Sequence, residues 1–270
     1  AVTKQFNSGE GAIQFAPEAI ARSNADILNK DELRKEFIEI YSEQGKDEAK
    51  NWINNNFGPF SNDELNHRMT RYGLNPCGEI LGNDFHCNLA EVHLNQIDPN
   101  NLEEQKKAFK SAALSVACLL NHKFEVERYR VSREFDPIVG VSFTGLFDFF
   151  VHAFGTSWLR WWEQGRPDTE EGKLFKERES KYLESWKIIV KETVWDYCDK
   201  HNLRRPNRCT TVQPAGTKSL LTGAAPGWHP PKAQRFIRRI TFRKNDPVAL
   251  ACMDYGYSVC LLYTSPSPRD

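Results

Sequence analysis

The sequence predicts an α/β fold on three observations: short β-prone runs alternate with long segments of helical composition, Gly and Pro punctuate the junctions, and no internal repeat interrupts the succession. A chain of 270 residues can bury a sizeable core as one large domain or two ordinary ones. Its 36 basic and 36 acidic residues cancel, which excludes a global charge that would steer it to nucleic acid or an anionic membrane. Any anion binding must be local. No run approaches the roughly 20 uninterrupted apolar residues of a membrane span, since even the apolar stretch 139–154 contains Asp148 and His152. Residues 1–21 lack a basic region followed by an apolar run, so no secretory signal is expected and a cytoplasmic protein is. The cysteines at 77, 87, 118, 198, 209, 252 and 260 form no Cys-x-x-Cys pair. They make a poor disulfide framework, and each thiol is read as core filler, ligand or reactive group.

Taken in order, residues 1–30 read as loop with one short helix. Residues 31–56 have helical composition and are polar enough for the surface. Gly58, Pro59, Ser61 and Asn62 break that pattern, and a loop-rich stretch runs to about Asn88. Asn100 is placed to cap a helix whose stripe is Leu102, Phe109, Ala112, Ala113, Val116, Leu119 and Leu120. Cys118 falls within it and is expected in the core. Residues 139–154 are expected to be buried, with Gly140 and Gly145 as breaks, and periodicity leaves strand and helix both open. Residues 168–202 read as one long helix with acidic residues at its electropositive start and Phe175, Tyr182, Trp186, Ile189, Val190 and Tyr197 on its apolar face. A β-prone run, 209–212, follows. A further strand is expected at 239–242, and Asp246-Pro247 has the form of a helix start. The Ser/Pro-rich end is unlike the rest, so the expected division is 1–259 for the α/β domain and 260–270 for a disordered or non-native tail.

Chemistry concentrates in two segments. In Asn75-Pro76-Cys77-Gly78-Glu79, Pro fixes one backbone angle and Gly relaxes the next, so Cys77 is presented on a shaped loop. If that loop is extended, a spacing of two puts Asn75, Cys77 and Glu79 on one side. The alternative is a structural turn around a buried cysteine. His86, Cys87 and His93 follow. A zinc site from Cys77, Cys87 and His93 matches no compact ligand spacing, and no metal is assigned. Thiol exchange at Cys87 needs a second thiol brought close by the fold. The second segment, Pro214-Ala215-Gly216-Thr217-Lys218-Ser219, is not a Walker loop. It offers exposed amides, two hydroxyls and a cation suited to phosphate, or else it simply caps a helix. The Gly/Pro-rich stretch 223–227 follows. The basic stretch Lys232, Arg235, Arg238, Arg239, Arg243 and Lys244 reads as solvated surface, because regular aromatic interleaving is lacking. Trp158, Trp161 and Trp162 read as packing anchors.

Together Asn75-Pro76-Cys77-Gly78-Glu79, Phe85-His86-Cys87-Asn88-Leu89 and the distant Pro-Ala-Gly-Thr-Lys-Ser loop resemble the catalytic subunit of ribonucleotide reductase. The runs 79–92 and 223–230 are most similar to its adenosylcobalamin-dependent, monomeric triphosphate-reductase branch; the di-iron diphosphate branch is the alternative within the family. The resemblance covers the region before Cys77 to about Val259. It implies part of a ten-stranded α/β barrel, with the Cys77 loop inserted through its centre. It also implies a thiyl radical at Cys77 that abstracts the ribose 3′ hydrogen, Glu79 as general base to the 3′ hydroxyl, and Asn75 as a substrate-orienting hydrogen bonder. Cys87 becomes one of two reducing thiols, and Pro214, Ala215, Gly216, Thr217, Lys218 and Ser219 the substrate phosphate loop. Adenosylcobalamin is the implied cofactor. The implied partners are a ribonucleoside triphosphate, a thioredoxin-type reductant and a deoxynucleotide effector.

No cysteine precedes Cys77. The thiol that the resemblance pairs with Cys87 is therefore expected outside these residues, together with the effector region and the first barrel strands. Cys252 and Cys260 do not resemble the family's C-terminal shuttle pair. The 270-residue chain by itself is expected to be inactive. Two other classes stay open on the residues alone: a cysteine-nucleophile acyl or amido transferase, and a metabolite-binding module in which Cys77 is structural.

Overall fold

Helical composition in residues 31–56 is expressed as two helices instead of one, because Gly45 adopts φ +96 between them. The computed structural model describes residues 3, 6, 7, 14–230, 233, 235, 237 and 239–260. Helix α1, Ala16–Ser23, is followed by α2, Asp31–Gln44, α3, Lys46–Phe57, and the short α4, Asn62–Arg68. They are not simply surface helices. Ile20, Leu28, Phe37, Ala49, Ile53, Leu65 and Met69 meet in a small apolar core of their own.

The main core is built on a sheet. Strand β3, Leu89–His93, pairs in parallel with β4, Ile138–Thr144, from Leu89 opposite Gly140 to His93 opposite Thr144, and β4 pairs in parallel with β5, Arg208–Thr210. The order is β3-β4-β5. A side chain at Gly140 would place its Cβ 2.6 Å from Leu89 and 2.9 Å from Thr211, so only glycine lets the central strand lie this close to its neighbours. The two sheet faces differ in character. Val92, Val139, Val141, Phe143 and Cys209 enter the apolar core. Alternation therefore turns Glu91 and Ser142 to the opposite, polar face.

Helices α5, Leu102–Ala117, and α9, Glu170–Lys200, pack on each other and cover the apolar face. Between them in sequence lie α6, Glu127–Phe135, α7, Leu146–Phe154, and α8, Thr156–Glu163. The cap of α5 is Asn101, whose Oδ1 accepts from the Glu104 amide at 3.1 Å, one residue beyond the expected Asn100. The long helix forms as expected, capped by Thr169 accepting from the Gly172 amide at 3.0 Å. Its buried residues Phe175, Glu179, Trp186, Val190, Val194 and Cys198 recur mostly at i+4. Trp186 stacks on Phe109 at 5.0 Å, meets Phe149 edge-on and donates to buried Gln105 at 3.0 Å. Trp158 and Trp161 are buried anchors, as their composition implied.

The ambiguous stretch 139–154 is both elements in turn: β4, a hinge at Gly145 with φ +73, then α7. All of β4 is buried, and the alternation of Val139, Val141 and Phe143 with Gly140, Ser142 and Thr144 is masked in the sequence by the apolar helix that follows without a polar break. Cys118 departs from expectation. It lies past the last turn of α5, where the chain tightens into a 3₁₀ turn, and is exposed with its thiol donating to Ser115 O.

The chain divides into two compact units, Ala1–Pro230 and Pro231–Asp270. In the second, Asp246 caps helix α10, Pro247–Asp254, by accepting from the Val248 amide at 2.9 Å. The expected strand at 239–242 is absent; these residues are irregular, and no described strand lies beside them to complete a ladder. Arg235, Arg239, Arg243 and Lys244 are exposed, in keeping with a solvated surface. Lys232, Arg238 and the tail residues 261–270 lie outside the described residues.

The aromatic core makes a direct prediction. Trp186→Ala should lower unfolding free energy by about 3–5 kcal/mol, whereas truncation of exposed Ile188 on the same helix should change it by less than about 0.5 kcal/mol, as read by denaturant unfolding.

Candidate active site

The Cys77 segment is the turn of a small antiparallel hairpin. Strand β1, Gly73–Leu74, pairs with β2, Leu81–Gly82. The Gly78 amide donates to Asn75 O at 2.9 Å, the Asn75 amide to Ile80 O at 3.2 Å, and the Ile80 amide to Asn75 Oδ1 at 3.0 Å. Gly78 sits at φ +79, which the turn requires and an L side chain resists. Cys77 is exposed at the tip. The extended geometry considered from sequence is thus replaced by a turn, and Asn75 spends its side-chain carbonyl oxygen within it.

The hairpin is fastened at both ends. At the tip, Thr211 Oγ1 donates to Glu79 O at 2.8 Å, tying the loop to the residue after β5. At the base, Arg208 Nη1 donates to Leu81 O at 2.6 Å and its Nη2 donates to Asp136 Oδ2. The same Asp136 oxygen lies 3.5 Å from Nε of Arg71, two residues before the hairpin. Arg71 also donates to Asn24 Oδ1 and Phe135 O, each at 3.1 Å. Burial lowers its guanidinium to about 10, against the pull of Asp136. Burial likewise lowers His67 to about 4, with Arg71 acting in the same direction. Because Arg71 Nε donates to His67 Nδ1 at 3.2 Å, the neutral ring carries its proton on Nε2 and donates to Ser132 Oγ at 3.0 Å. Ser132 in turn donates to Asn83 O, just past the hairpin.

Cys87 lies between that hairpin and β3 and is exposed. Partial burial pushes its thiol above the ordinary value, with Glu79 pushing the same way, Lys218 opposing, and Cys77 adding to the rise. Four of the residues singled out from sequence, Cys77, Glu79, Cys87 and Lys218, therefore share one electrostatic neighbourhood. Glu79 Oε2 is buried and accepts no hydrogen bond among the described residues. Its carboxylate is held by its backbone and left open to chemistry.

Residues 214–219 run along the same side. The Gln213 amide donates to Ser142 Oγ at 2.9 Å, on the polar face of β4. Ala215 adopts φ +52 and accepts from the Ser219 amide at 3.1 Å, while Gly216 and Thr217 are exposed at the turn. Ser219 is buried, and its hydroxyl is 3.4 Å from Gly216 O. The second glycine-rich stretch backs this loop. A Cβ at Gly227 would lie 2.5 Å from Gln213 O, and Ala225 is clamped by the Gly145 amide and Asp148 Oδ2, each at 2.8 Å. His93, at the other end of β3, has Nδ1 2.8 Å from Thr222 Oγ1.

Sequence reasoning missed Glu91, Ser142, Gln213 and Thr211 on the polar face, and Asp136, Arg71 and Arg208 beneath the hairpin. Glu91 carried a signal: a charged residue alternating with Ala90 and Val92 in a β-prone run marks a face turned away from the core. The buried ion cluster carried none, since its members are distant in the chain.

No family model matches this chain. It is 31% identical over 198 residues to the adenosylcobalamin-dependent ribonucleoside-triphosphate reductase of Levilactobacillus brevis, covering 69% of this chain and 26% of that enzyme. The enzyme of the same description from Lactobacillus gasseri is 31% identical over 195 residues, 68% of this chain and 25% of its own length. The one from Lactobacillus leichmannii is 30% identical over 195 residues. The chain thus spans about a quarter of the length of the curated relatives it matches. A solved B-12-dependent (class II) ribonucleotide reductase aligns with TM-score 0.45 at 24% identity, over 59% of this chain and 23% of that one.

The charges around Cys87 predict opposite shifts. In site-resolved alkylation across pH, Lys218→Met should move the Cys87 midpoint upward and Glu79→Gln should move it downward, because one removes a stabilising cation and the other a repelling anion.

Proposed function

We propose, for a chain that over its matched residues belongs to the ribonucleotide reductase family, that it carries the radical-cysteine segment of an enzyme reducing ribonucleoside triphosphates to 2′-deoxyribonucleoside triphosphates. The observation that carries this reading is the exposed Cys77 thiol at a hydrogen-bonded hairpin tip, with Glu79, Cys87 and Lys218 in one electrostatic neighbourhood. The parallel sheet β3-β4-β5 would be part of the ten-stranded barrel, its polar face inward and its apolar face under α5 and α9. Residues 1–259 would belong to that catalytic domain and 260–270 to a tail outside it.

In this reading the Cys77 sulfur radical takes the hydrogen from C3′ of the ribose. Glu79 accepts the 3′-hydroxyl proton, and its unpartnered Oε2 suits that task. Asn75 Nδ2 orients a ribose hydroxyl. The 2′ hydroxyl is protonated and leaves as water, while Cys87 and a partner thiol supply two electrons and two protons and become a disulfide. The hydrogen then returns from Cys77 to C3′. A thioredoxin-type dithiol reduces the disulfide by exchange. Residues 214–219 receive the substrate phosphates at the exposed Gly216-Thr217 turn.

Cys77 stands at the tip of the hairpin, the end a radical source would have to approach. Adenosylcobalamin, when bound, would supply radical initiation there. The hairpin's contribution is aim: its fixed turn holds the sulfur in one place, which proximity-limited hydrogen transfer demands. A deoxynucleotide effector, a monomeric state and a cytoplasmic location complete the proposal. Among the described residues, no helix is long and apolar enough to cross a membrane.

The test is reduction by the protein expressed from its whole coding sequence. Formation of deoxynucleotide from ribonucleoside triphosphates should require adenosylcobalamin and a dithiol, and Cys77→Ser should abolish it while nucleotide binding persists. Turnover by the C77S protein would defeat the assignment. Turnover of diphosphates without cobalamin would instead favour the di-iron branch.

A further inference from the structure

Lys218 does not extend freely from the phosphate loop. Its Nζ lies 3.2 Å from Glu91 Oε2 and donates to Gln213 Oε1 at 2.5 Å. The Glu91 side chain is only 3% exposed, whereas that of Lys218 is 48% exposed. Neither Glu91 oxygen accepts a well-aimed hydrogen bond among the described residues. The ion pair with Lys218 is thus the contact that compensates a carboxylate held almost entirely out of water, where an uncompensated charge is strongly unfavourable. The pair is also rigidly placed. Glu91 stands opposite Ser142 in the β3-β4 register, and Ser142 Oγ accepts the Gln213 amide at 2.9 Å. One end of the arrangement is fixed in the sheet, and the other is a long side chain with access to solvent.

We propose that Glu91 is a latch on Lys218 that sets the anion specificity of the loop: the buried carboxylate and Gln213 hold the ammonium against the sheet until an oligophosphate of high charge at the Gly216-Thr217 turn draws it away. This rests on reading those residues as a phosphate loop. A singly or doubly charged anion interacts too weakly with the half-exposed ammonium to offset stripping Glu91 of its counter-ion. A triphosphate concentrates several charges within reach of one lysine. The latch thereby discriminates by charge, independently of contacts to the sugar or base.

Two measurements on the intact protein decide this. Competitive acetylation, with exposed Lys107 as internal standard, should show Lys218 protected in the parent, released at least about threefold by Glu91→Gln and restored towards the parent by Glu91→Asp. Inorganic tripolyphosphate should bind the E91Q protein about fivefold more tightly, and orthophosphate should gain proportionally more. In a Lys218→Met background, E91Q should change tripolyphosphate affinity less than about twofold. That cycle separates a latch acting through Lys218 from simple removal of a negative charge. Should E91Q fail to fold by circular dichroism, Gln213→Leu, which removes the second holder without changing charge, should also speed Lys218 acetylation. Equal acetylation of Lys218 in parent and variant would overturn the latch while leaving the phosphate loop intact, as would a gain that persists without Lys218. Absence of tripolyphosphate binding in every form would instead overturn the phosphate-loop reading, and the latch with it.

Discussion

The position of the Cys77 hairpin depends on one buried carboxylate. Asp136, at the entry to β4, is shared by Arg71, which leads into the hairpin, and Arg208, which opens β5. The side chains of Arg71 and Asp136 are 0% and 2% exposed. Charges so deeply buried are tolerated only when paired and hydrogen-bonded, and loss of one partner is strongly destabilising. The cluster therefore has few alternative arrangements. Arg71 spends its hydrogen bonds on Asn24, Phe135 and His67 while its charge pairs with Asp136, and Arg208 reaches back to Leu81. One carboxylate thus joins the small helical core, the hairpin base and the ends of two parallel strands.

From that base the chain has only a few residues in which to present Cys77. The turn hydrogen bonds and the left-handed Gly78 fix its shape, and Thr211 holds Glu79 against the sheet. The sheet's two faces then divide the work. The apolar face buries Val139, Val141 and Phe143 beneath helices that supply stability. The polar face carries Glu91 and Ser142, with Gln213 and Lys218 arriving from the following loop. Among the described residues, the buried polar atoms left without hydrogen bonds are Glu79 Oε2, Asn88 Nδ2, both Glu91 oxygens, Gln213 Nε2 and Arg133 Nη2, and all but the last lie in these same segments or next to β3. Unsatisfied buried polar atoms are uncommon in native folds, and their concentration here accords with a surface built to receive a ligand.

Much of this was legible in the sequence, and the reasons are physical. The long helix 170–200, its tryptophan anchors and the Asp246 cap follow from local periodicity and capping chemistry, which act within a few residues. The break at Gly45 and the strand-to-helix change at Gly145 were marked by glycines, but their effect depends on backbone angles that composition does not reveal. The strand expected at 239–242 failed because β propensity expresses itself only against a partner. Cys77 stood out through its Pro-Cys-Gly turn, Glu79 through its spacing of two from that cysteine, and Cys87 through its place in the run 85–89 that resembles the family. Asp136 and Glu91 did not, since their significance lies in contacts with residues 65 or more positions away, such as Arg71 and Lys218.

The most direct test of this account is backbone hydrogen exchange in Asp136→Asn. If the buried carboxylate fixes the hairpin, the amides of Asn75, Gly78 and Ile80 should exchange about tenfold faster or more, while those of Trp186 and Val190 in the long helix keep their protection. Unchanged exchange at the hairpin would contradict the account, showing that the turn holds Cys77 by its own hydrogen bonds alone.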